Sequence, residues 1–131
     1  MENNEEKGMK FDKDKLRHDL VLPEWVEALA DVLTFGAKKY APGNWAFVED
    51  AEDRYYAAAM RHALDYRKGE KIDPESGKSH LHHWLTNVAF LIYFENKKID
   101  NINKKIQNIE ITPKKQEEPK EEEIDLDDLP F

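Results

Sequence analysis

Between residues 24 and 98, apolar side chains recur at intervals of three and four residues, and no stretch alternates in the manner of a β-strand. The repeats fall into three segments, so helices are predicted over roughly 24–40, 50–68 and 79–98. A chain of 131 residues has room for one domain and little more. The predicted fold is therefore all-α, a small bundle of three principal helices.

Turn-forming residues separate these helices. Pro23 suits the first turn of helix one, Asp50 suits the N-cap of helix two, and Gly69 suits the end of helix two. The buried side of helix two is predicted to comprise Tyr55, Tyr56, Ala59, Met60, Ala63 and Tyr66. The link over 69–79 exceeds the roughly 2–8 residues usual between neighbouring helices. Because long loops often carry function, this link is a candidate part of a site.

Composition divides the chain into three parts. Residues 1–9 are predicted to be a disordered leader, and 10–100 a helical domain that begins with an ordered N-terminal arm lying across the core. Residues 101–131, rich in Asn, Lys, Gln, Glu and Pro, are predicted to form a flexible linker and a disordered acidic tail. Three helices of this length leave apolar surface to cover, so a homo-oligomer is expected. A short helical extension through Ile102, Ile106 and Ile109 could pair with a second subunit.

Several classes of protein are disfavoured by composition. The absence of cysteine excludes disulfides and cysteine-ligated zinc. No apolar run approaches the ~20 residues of a membrane span, and the polar, acidic N-terminus is unlike a signal peptide. Net charge is -8, whereas a duplex-DNA binder normally carries a basic surplus. The expected location is the cytoplasm, including that of an infected cell, with neither membrane nor direct duplex DNA as a partner.

Histidines and carboxylates concentrate around the long link. His80, His83 and Asn87 share one face of helix three, whereas His82 is expected to face solvent. Antiparallel packing of helices two and three would bring further polar groups there, namely Glu70, Asp73 and Glu75 from the link and Arg61, His62 and Asp65 from helix two. Carboxylate oxygens suit Mg²⁺, and imidazole also suits Mn²⁺ or Zn²⁺. The alternative is a cap-and-turn network in which Asp73 and Ser76 bond the loop backbone and the histidines are half exposed.

Two further groups could hold a nucleotide. Lys15 and Arg17 in the arm could contact phosphates, or could be solvated charges of an amphipathic arm. Near the end of helix one, Lys39 offers a cation, Asn44 an amide and Trp45 an aromatic face. The alternative for Trp45 is a place in the core.

Three segments and Asn87 resemble, in order, the N-terminal domain family of phage dATP/dGTP diphosphohydrolases. The segments are KFDKDKLRHDL, LTFGAKKYAPGNW and RHALDYRKGEKIDPESGKSHLHH, and the resemblance covers roughly residues 10–95. It implies hydrolysis of a purine deoxynucleoside triphosphate to the monophosphate and pyrophosphate with Mg²⁺ or Mn²⁺.

Carried onto this chain, the resemblance suggests roles for individual residues. The candidates for metal binding and water activation are His62, Asp73, Glu75, His80 and His83, with the metal itself assigned to Asp73, Glu75, His80 and His83. Lys15, Arg17 and Lys39 become phosphate contacts, with Asn44 and Trp45 near the base or sugar. Two departures limit the mechanism. The Glu-Glu-x-x-Glu and Glu-x-x-Asp motifs of other all-helical nucleotide pyrophosphatases do not appear in the predicted helices, and the His-Asp order of the HD phosphohydrolases is not kept.

The C-terminus resembles the acidic tip of bacterial single-stranded DNA-binding proteins. Residues 121–131 contain six acids and no base. The candidate docking residues are Asp125, Asp127, Asp128, Leu129, Pro130 and Phe131. An apolar pocket would take the Phe131 ring while a cation meets its carboxylate and the aspartates steer towards a basic rim. The implied receptors are replication and repair proteins that read such tips; the alternative is a solubilising tail.

Two hypotheses follow for the whole chain. In the first, a metal-dependent purine dNTP diphosphohydrolase is brought to replication forks by its tail. In the second, the domain is a non-catalytic phage binding module that engages host replication or repair proteins through the C-terminal tip.

Overall fold

The computed structural model describes residues 7–110, which form three α-helices and two short 3₁₀ turns. The helices are α1 (Pro23–Lys39), α2 (Ala51–Arg67) and α3 (His80–Glu110), and the 3₁₀ turns are His18–Leu20 and Asn44–Phe47. The predicted all-α fold with three principal helices is confirmed. The predicted tail and its docking residues lie outside the described residues.

Local signals explain where the helices begin and end. Pro23 occupies the first turn of α1, where its missing N–H would have no partner in any case. The Ser79 hydroxyl accepts a hydrogen bond from the Leu81 N–H (3.2 Å) and so caps the start of α3. Asp50 stands at the N-cap of α2 as predicted, but in a left-handed conformation and without a capping hydrogen bond from its side chain.

The third helix is longer than predicted. It continues without interruption through Ile102, Ile106 and Ile109, so the helical extension predicted there is the C-terminal part of α3. Among residues 7–110, extended pairing is limited to one isolated bridge between Ile72 and Ser79, and no helix there is long and apolar enough to cross a bilayer.

The core lies between α2, α3 and the second 3₁₀ turn. Tyr55 and Phe90 are its largest apolar members, their ring centroids lie 4.7 Å apart, and Trp45 stacks on Phe90 at 4.4 Å. The Tyr55 hydroxyl donates to the Trp45 carbonyl (2.7 Å), which fixes the 3₁₀ turn to α2. Burial raises the pKa of the Tyr55 phenol, so this hydroxyl remains a donor.

Two expectations about burial are wrong. Tyr56 and Met60, predicted on the buried side of α2, are largely exposed because the core-facing stripe runs through Tyr55, Ala58 and Ala59 instead. The N-terminal arm is present, but residues 7–22 are all exposed, Phe11 and Leu16 among them, so in this single chain the arm does not lie across the core.

Candidate metal and nucleotide site

The end of α2 brings two carboxylates together. Gly69, with a φ of 105°, reverses the chain so that its N–H bonds the Tyr66 carbonyl (3.1 Å) and the Glu70 N–H bonds the Asp65 carbonyl (3.0 Å). This pair of bonds is the Schellman motif, which favours glycine because a Cβ is strained at such a φ. The glycine therefore places Glu70 beside Asp65.

The link that follows is a tight turn built on Asp73. One Asp73 carboxylate oxygen accepts from the Glu75 N–H (3.0 Å), and the Gly77 N–H bonds the Asp73 carbonyl (2.8 Å). The Asp73 N–H in turn bonds the Lys78 carbonyl (2.8 Å), and the His80 N–H bonds the Lys71 carbonyl (3.0 Å). These bonds fold the link back on itself and fix the start of α3 against the end of α2.

A chain of hydrogen bonds runs from the link to both helices through His80. His80 is buried, its Nε2 lies 2.7 Å from Glu70 Oε1, and its Nδ1 lies 2.8 Å from His62 Nδ1. Because an ionised carboxylate only accepts, Nε2 carries the proton and the Nδ1 of neutral His80 accepts from His62. Glu70 thereby fixes the tautomers of both imidazoles.

A second histidine lies directly against this chain. The His83 ring is fully buried and stacks on the His62 ring at 4.5 Å with an interplanar angle of 8°. Its Nε2 lies 2.6 Å from Ser76 Oγ and 3.6 Å from Asp73 Oδ2. Thus the alternative foreseen for the link holds for Asp73 and Ser76, which do bond the loop backbone, but not for His80 and His83, which are buried rather than half exposed.

Burial keeps these imidazoles neutral. Desolvation, followed by the neighbouring His83, lowers the pKa of His62 to about 4. Desolvation likewise lowers the pKa of His83, although Asp73 opposes the shift. Both rings are therefore uncharged at neutral pH, the state in which an imidazole nitrogen can accept a proton or ligate a metal.

Asp65, Glu70 and His80 form a group with the donor atoms of a divalent-cation site. One ligand atom from each lies within 4.8 Å of the others, with His80 buried, Asp65 half-buried and Glu70 exposed. Two carboxylates and one imidazole are hard to borderline donors, which suits Mn²⁺ and, through the oxygens, Mg²⁺. An exposed side leaves room for water or a phosphate oxygen, so the residues fit the cation that the sequence implied.

Helix α1 reaches the link through one acidic residue. The Asp31 carboxylate lies 2.6 Å from Lys78 Nζ and 3.0 Å from His82 Nδ1. Lys78, and after it His82, hold the pKa of Asp31 below its usual range. His82 is therefore only partly exposed and engaged by α1, which corrects the expectation that it faces solvent.

The predicted site residues fall into two groups in the structure. His62, Asp73, His80 and His83 are brought together, whereas Glu75 contributes its backbone N–H to the turn and is exposed.

The predicted substrate contacts are more dispersed. Arg17 is exposed and paired with Asp19 (2.8 Å), and Lys15 is exposed on the same arm. Lys39 lies at the end of α1 over the Tyr40 ring, while Asn44 and Trp45 lie in the second 3₁₀ turn, with Trp45 packed against Phe90. Within residues 7–110, no hydrogen bond or ion pair joins these five side chains to the histidines.

Sequence reasoning placed Asp65 and Glu70 near the pocket but left them out of the metal set. The signal that identifies them is Gly69: a Schellman end requires the N–H of residue 70 to meet the carbonyl of residue 65, so carboxylates at those positions become neighbours. Ser76 carries a weaker signal, because its bond to His83 depends on how the link closes.

The fold and this cluster define a small helical domain whose helix-connecting link gathers neutral histidines together with carboxylates that have the donor atoms of a divalent-cation site. The chain belongs to the dATP/dGTP diphosphohydrolase N-terminal domain family, whose model matches residues 5–104. This confirms the resemblance seen in the sequence motifs.

One similar protein is a dATP/dGTP diphosphohydrolase of Salmonella phage PMBT28, which is 33% identical over 89 residues. The match covers 68% of this chain but 30% of the relative, so this chain corresponds to less than a third of that protein. No solved structure matches the chain.

Proposed function

We propose that this domain hydrolyses purine deoxynucleoside triphosphates, dATP and dGTP, to the monophosphate and pyrophosphate with Mg²⁺ or Mn²⁺. The observation that carries the proposal is the convergence of Asp65, Glu70 and His80 beside two neutral histidines in a member of this family. When bound, a divalent cation supplies neutralisation of phosphate charge and a more acidic coordinated water.

The protein's own groups have separable roles in this proposal. In the metal-free domain Glu70 accepts the Nε2 proton of His80 and so orients the ring. Asp65, Glu70 and His80 would hold the cation, and His80 Nε2 would lose that proton to become a ligand. His62 is positioned by its bond to His80 and is neutral at neutral pH, so it can accept a proton from an attacking water. Asp73 and Ser76 keep the His83 ring in place against His62. The assignment of the metal to Asp73, Glu75, His80 and His83, made from the sequence, remains a competing proposal.

Substrate contacts are proposed from residue chemistry and the family resemblance. Lys15, Arg17 and Lys39 would contact phosphates, and Asn44 and Trp45 the base or sugar. Since Asp19 already engages the Arg17 guanidinium at an exposed site, a phosphate would have to replace that carboxylate.

The test is chromatography of dATP and dGTP after incubation with the purified chain and Mg²⁺ or Mn²⁺. We expect monophosphate and pyrophosphate, and at least a hundredfold loss of rate in His80→Ala with the helical circular dichroism unchanged. The control is Asp53→Asn, because Asp53 is an exposed carboxylate on α2 about three turns from Asp65. This variant should retain the full rate. Unchanged triphosphate with both metals would refute the hydrolase.

The second candidate is a module that binds nucleotide or protein without turnover. It is favoured by the coverage of the relative, because more than two thirds of that protein lies outside the match. Nucleotide binding measured by calorimetry, in the absence of any product, would support this function in place of hydrolysis.

We also propose that the C-terminal tip docks on replication or repair proteins that read the tip of single-stranded DNA-binding proteins. The support is the sequence Asp-Asp-Leu-Pro-Phe at residues 127–131, in which acidic side chains precede an apolar ring. Deletion of 129–131 should abolish capture of such a reader in a pull-down, and capture that survives the deletion would refute docking.

A further inference from the structure

Helix α3 carries a second apolar stripe that plays no part in the histidine site. From Leu81 to Ile109 the spacing alternates strictly between four and three residues, the heptad pattern of a coiled-coil seam. The members are Leu81, Leu85, Val88, Ile92, Ile99, Ile102, Ile106 and Ile109, with Glu95 at the one remaining position. The face that packs on α2 is different, since it carries His83, Asn87, Phe90 and Phe94.

All eight apolar members of this heptad stripe are exposed in the single chain, by 37% to 79%. Helix α3 has 31 residues and α2 has 17, so at ~1.5 Å per residue α3 is about 20 Å the longer of the two. Residues 95–109 are accordingly exposed on every side. A helical arm of that length with four isoleucines on one side is marginal alone in water and gains stability by packing against a partner.

We propose that two copies of this chain pair through the heptad stripe, with their α3 helices antiparallel and related by a two-fold axis near Lys97. In that register every apolar member from Leu85 to Ile109 meets a stripe position of the other copy, because residues whose numbers add to 194 face each other. Leu85 meets Ile109, Val88 meets Ile106, and Ile92 meets Ile102. The arrangement is isologous and closes at two copies.

The position of Glu95 favours the antiparallel orientation. A parallel pair in register would set Glu95 against Glu95 in the interior of the seam, where like charges are destabilising. In the antiparallel register Glu95 meets Ile99, close to the middle of the pair. The Glu95 carboxylates of the two copies then face Ile99 of the opposite chain and do not face each other.

A groove beside the heptad stripe can bind the C-terminal part of α3 of the second copy. It lies between α1 and α3 and is lined mainly by Trp25, Ala28, Trp84, Leu85 and Val88. The antiparallel register delivers Ile106 and Ile109 of the second copy to Val88 and Leu85, which form one side of this groove. The groove is thus continuous with the seam, and α1 contributes Trp25 to the same contact.

The area is adequate for a stable pair. The seven apolar side chains from Leu85 to Ile109, each about half exposed, together with Trp25 and Trp84 would bury on the order of 700–800 Å² per chain, near the ~800 Å² per partner of a standard interface. The stripe lies on a face of α3 other than the one that presents His80 and His83, so the mass of the assembly and its hydrolytic activity are separate readouts.

The first test is the mass of the full chain by light scattering after size-exclusion chromatography. We expect twice the 15.4 kDa of one chain, and return to the single-chain mass in Ile102→Glu or Ile106→Glu. Asn101→Glu adds the same charge off the seam and should stay paired. A wild-type protein of single-chain mass, or a paired Ile106→Glu variant, would overturn the proposal.

The second test fixes the register and uses the absence of natural cysteine. An equimolar mixture of Leu85→Cys and Ile109→Cys chains should form a disulfide-linked dimer on mild oxidation. Ile109→Cys alone should not, because its two thiols would be roughly 36 Å apart along the helix axis. Rapid cross-linking of Ile109→Cys with itself would show a parallel pair and overturn the antiparallel register.

Discussion

His62 and His80 approach each other nitrogen to nitrogen, with their Nδ1 atoms 2.8 Å apart. Such a contact holds only when one nitrogen bears a proton and the other does not, so at least one ring must be neutral. When His80 is neutral, its Nδ1 is the acceptor of this bond, because Glu70 at 2.7 Å holds the single proton of the ring on Nε2. A surface carboxylate thereby controls the proton positions of a partly buried pair.

The pH dependence of stability follows from the neutral histidines. The folded-state pKa of His62 is about 4 and its ordinary value is 6.5, so protonation favours the unfolded chain. The stabilisation is complete above pH 6.5 and is lost as the pH falls towards 4. With metal removed by a chelator, we expect the free energy of unfolding to fall by roughly 1–3 kcal/mol between pH 6.5 and pH 4. His83, whose pKa is also lowered, contributes in the same direction.

Urea titrations at pH 7, 5.5 and 4.5 measure this dependence. His62→Gln should be less stable at pH 7 but less sensitive to acid, whereas His18→Gln, on the exposed arm, should follow the wild type. If the free energy of unfolding of His62→Gln falls with decreasing pH as steeply as that of the wild type, other groups control the acid response.

Gly69 is expected to govern both stability and the site. Its φ of 105° is strained for any side chain, although a Cβ would meet no atom within 4 Å. Gly69→Ala should therefore lower the free energy of unfolding by about 1–2 kcal/mol through backbone strain alone. It should also weaken divalent-cation binding, because the reversal that carries Glu70 to Asp65 is distorted.

Gly8→Ala is the matched control, since Gly8 has neither a positive φ nor a close neighbour. Thermal unfolding with and without Mn²⁺ measures both effects. If Gly69→Ala binds Mn²⁺ as tightly as the wild type, the chain reversal does not position the carboxylates.

The contact of Asp31 with Lys78 and His82 is expected to stabilise the link more than an exposed ion pair does. Asp31→Asn removes the charge that Lys78 and His82 both contact, and we expect it to lower the free energy of unfolding by about 1 kcal/mol. Asp19→Asn breaks the exposed pair with Arg17 and should leave the free energy of unfolding nearly unchanged. Equal effects in denaturant titrations would mean that α1 does not brace the link.

The sequence predicted the helices and the pocket, but not which carboxylates meet. Helical spacing located α1, α2 and the first part of α3, and the antiparallel packing of α2 and α3 joined His62 to His80 as the spacing suggested. The choice of Asp65 and Glu70 depends on a chain reversal at one glycine, which periodicity does not register.

The end of α3 and the exposure of the N-terminal arm were harder to predict. Asn and Lys after residue 98 suggested a linker, whereas the isoleucine spacing suggested a short helical extension, and the structure shows that extension as a continuous part of α3. Burial of Phe11 and Leu16 was expected because they are apolar, but whether an arm packs is decided by tertiary contacts that its own sequence does not specify.

Whether Asp65, Glu70 and His80 bind a divalent cation is measured by titrating the purified chain with Mn²⁺ and following the electron paramagnetic resonance of the free ion. We expect one ion per chain, at least a tenfold weaker affinity in Glu70→Gln and in Asp65→Asn, and unchanged affinity in Asp53→Asn. Wild-type protein that binds no Mn²⁺, or Glu70→Gln and Asp65→Asn variants that bind it as tightly as the wild type, would contradict the assignment of a divalent-cation site to Asp65, Glu70 and His80.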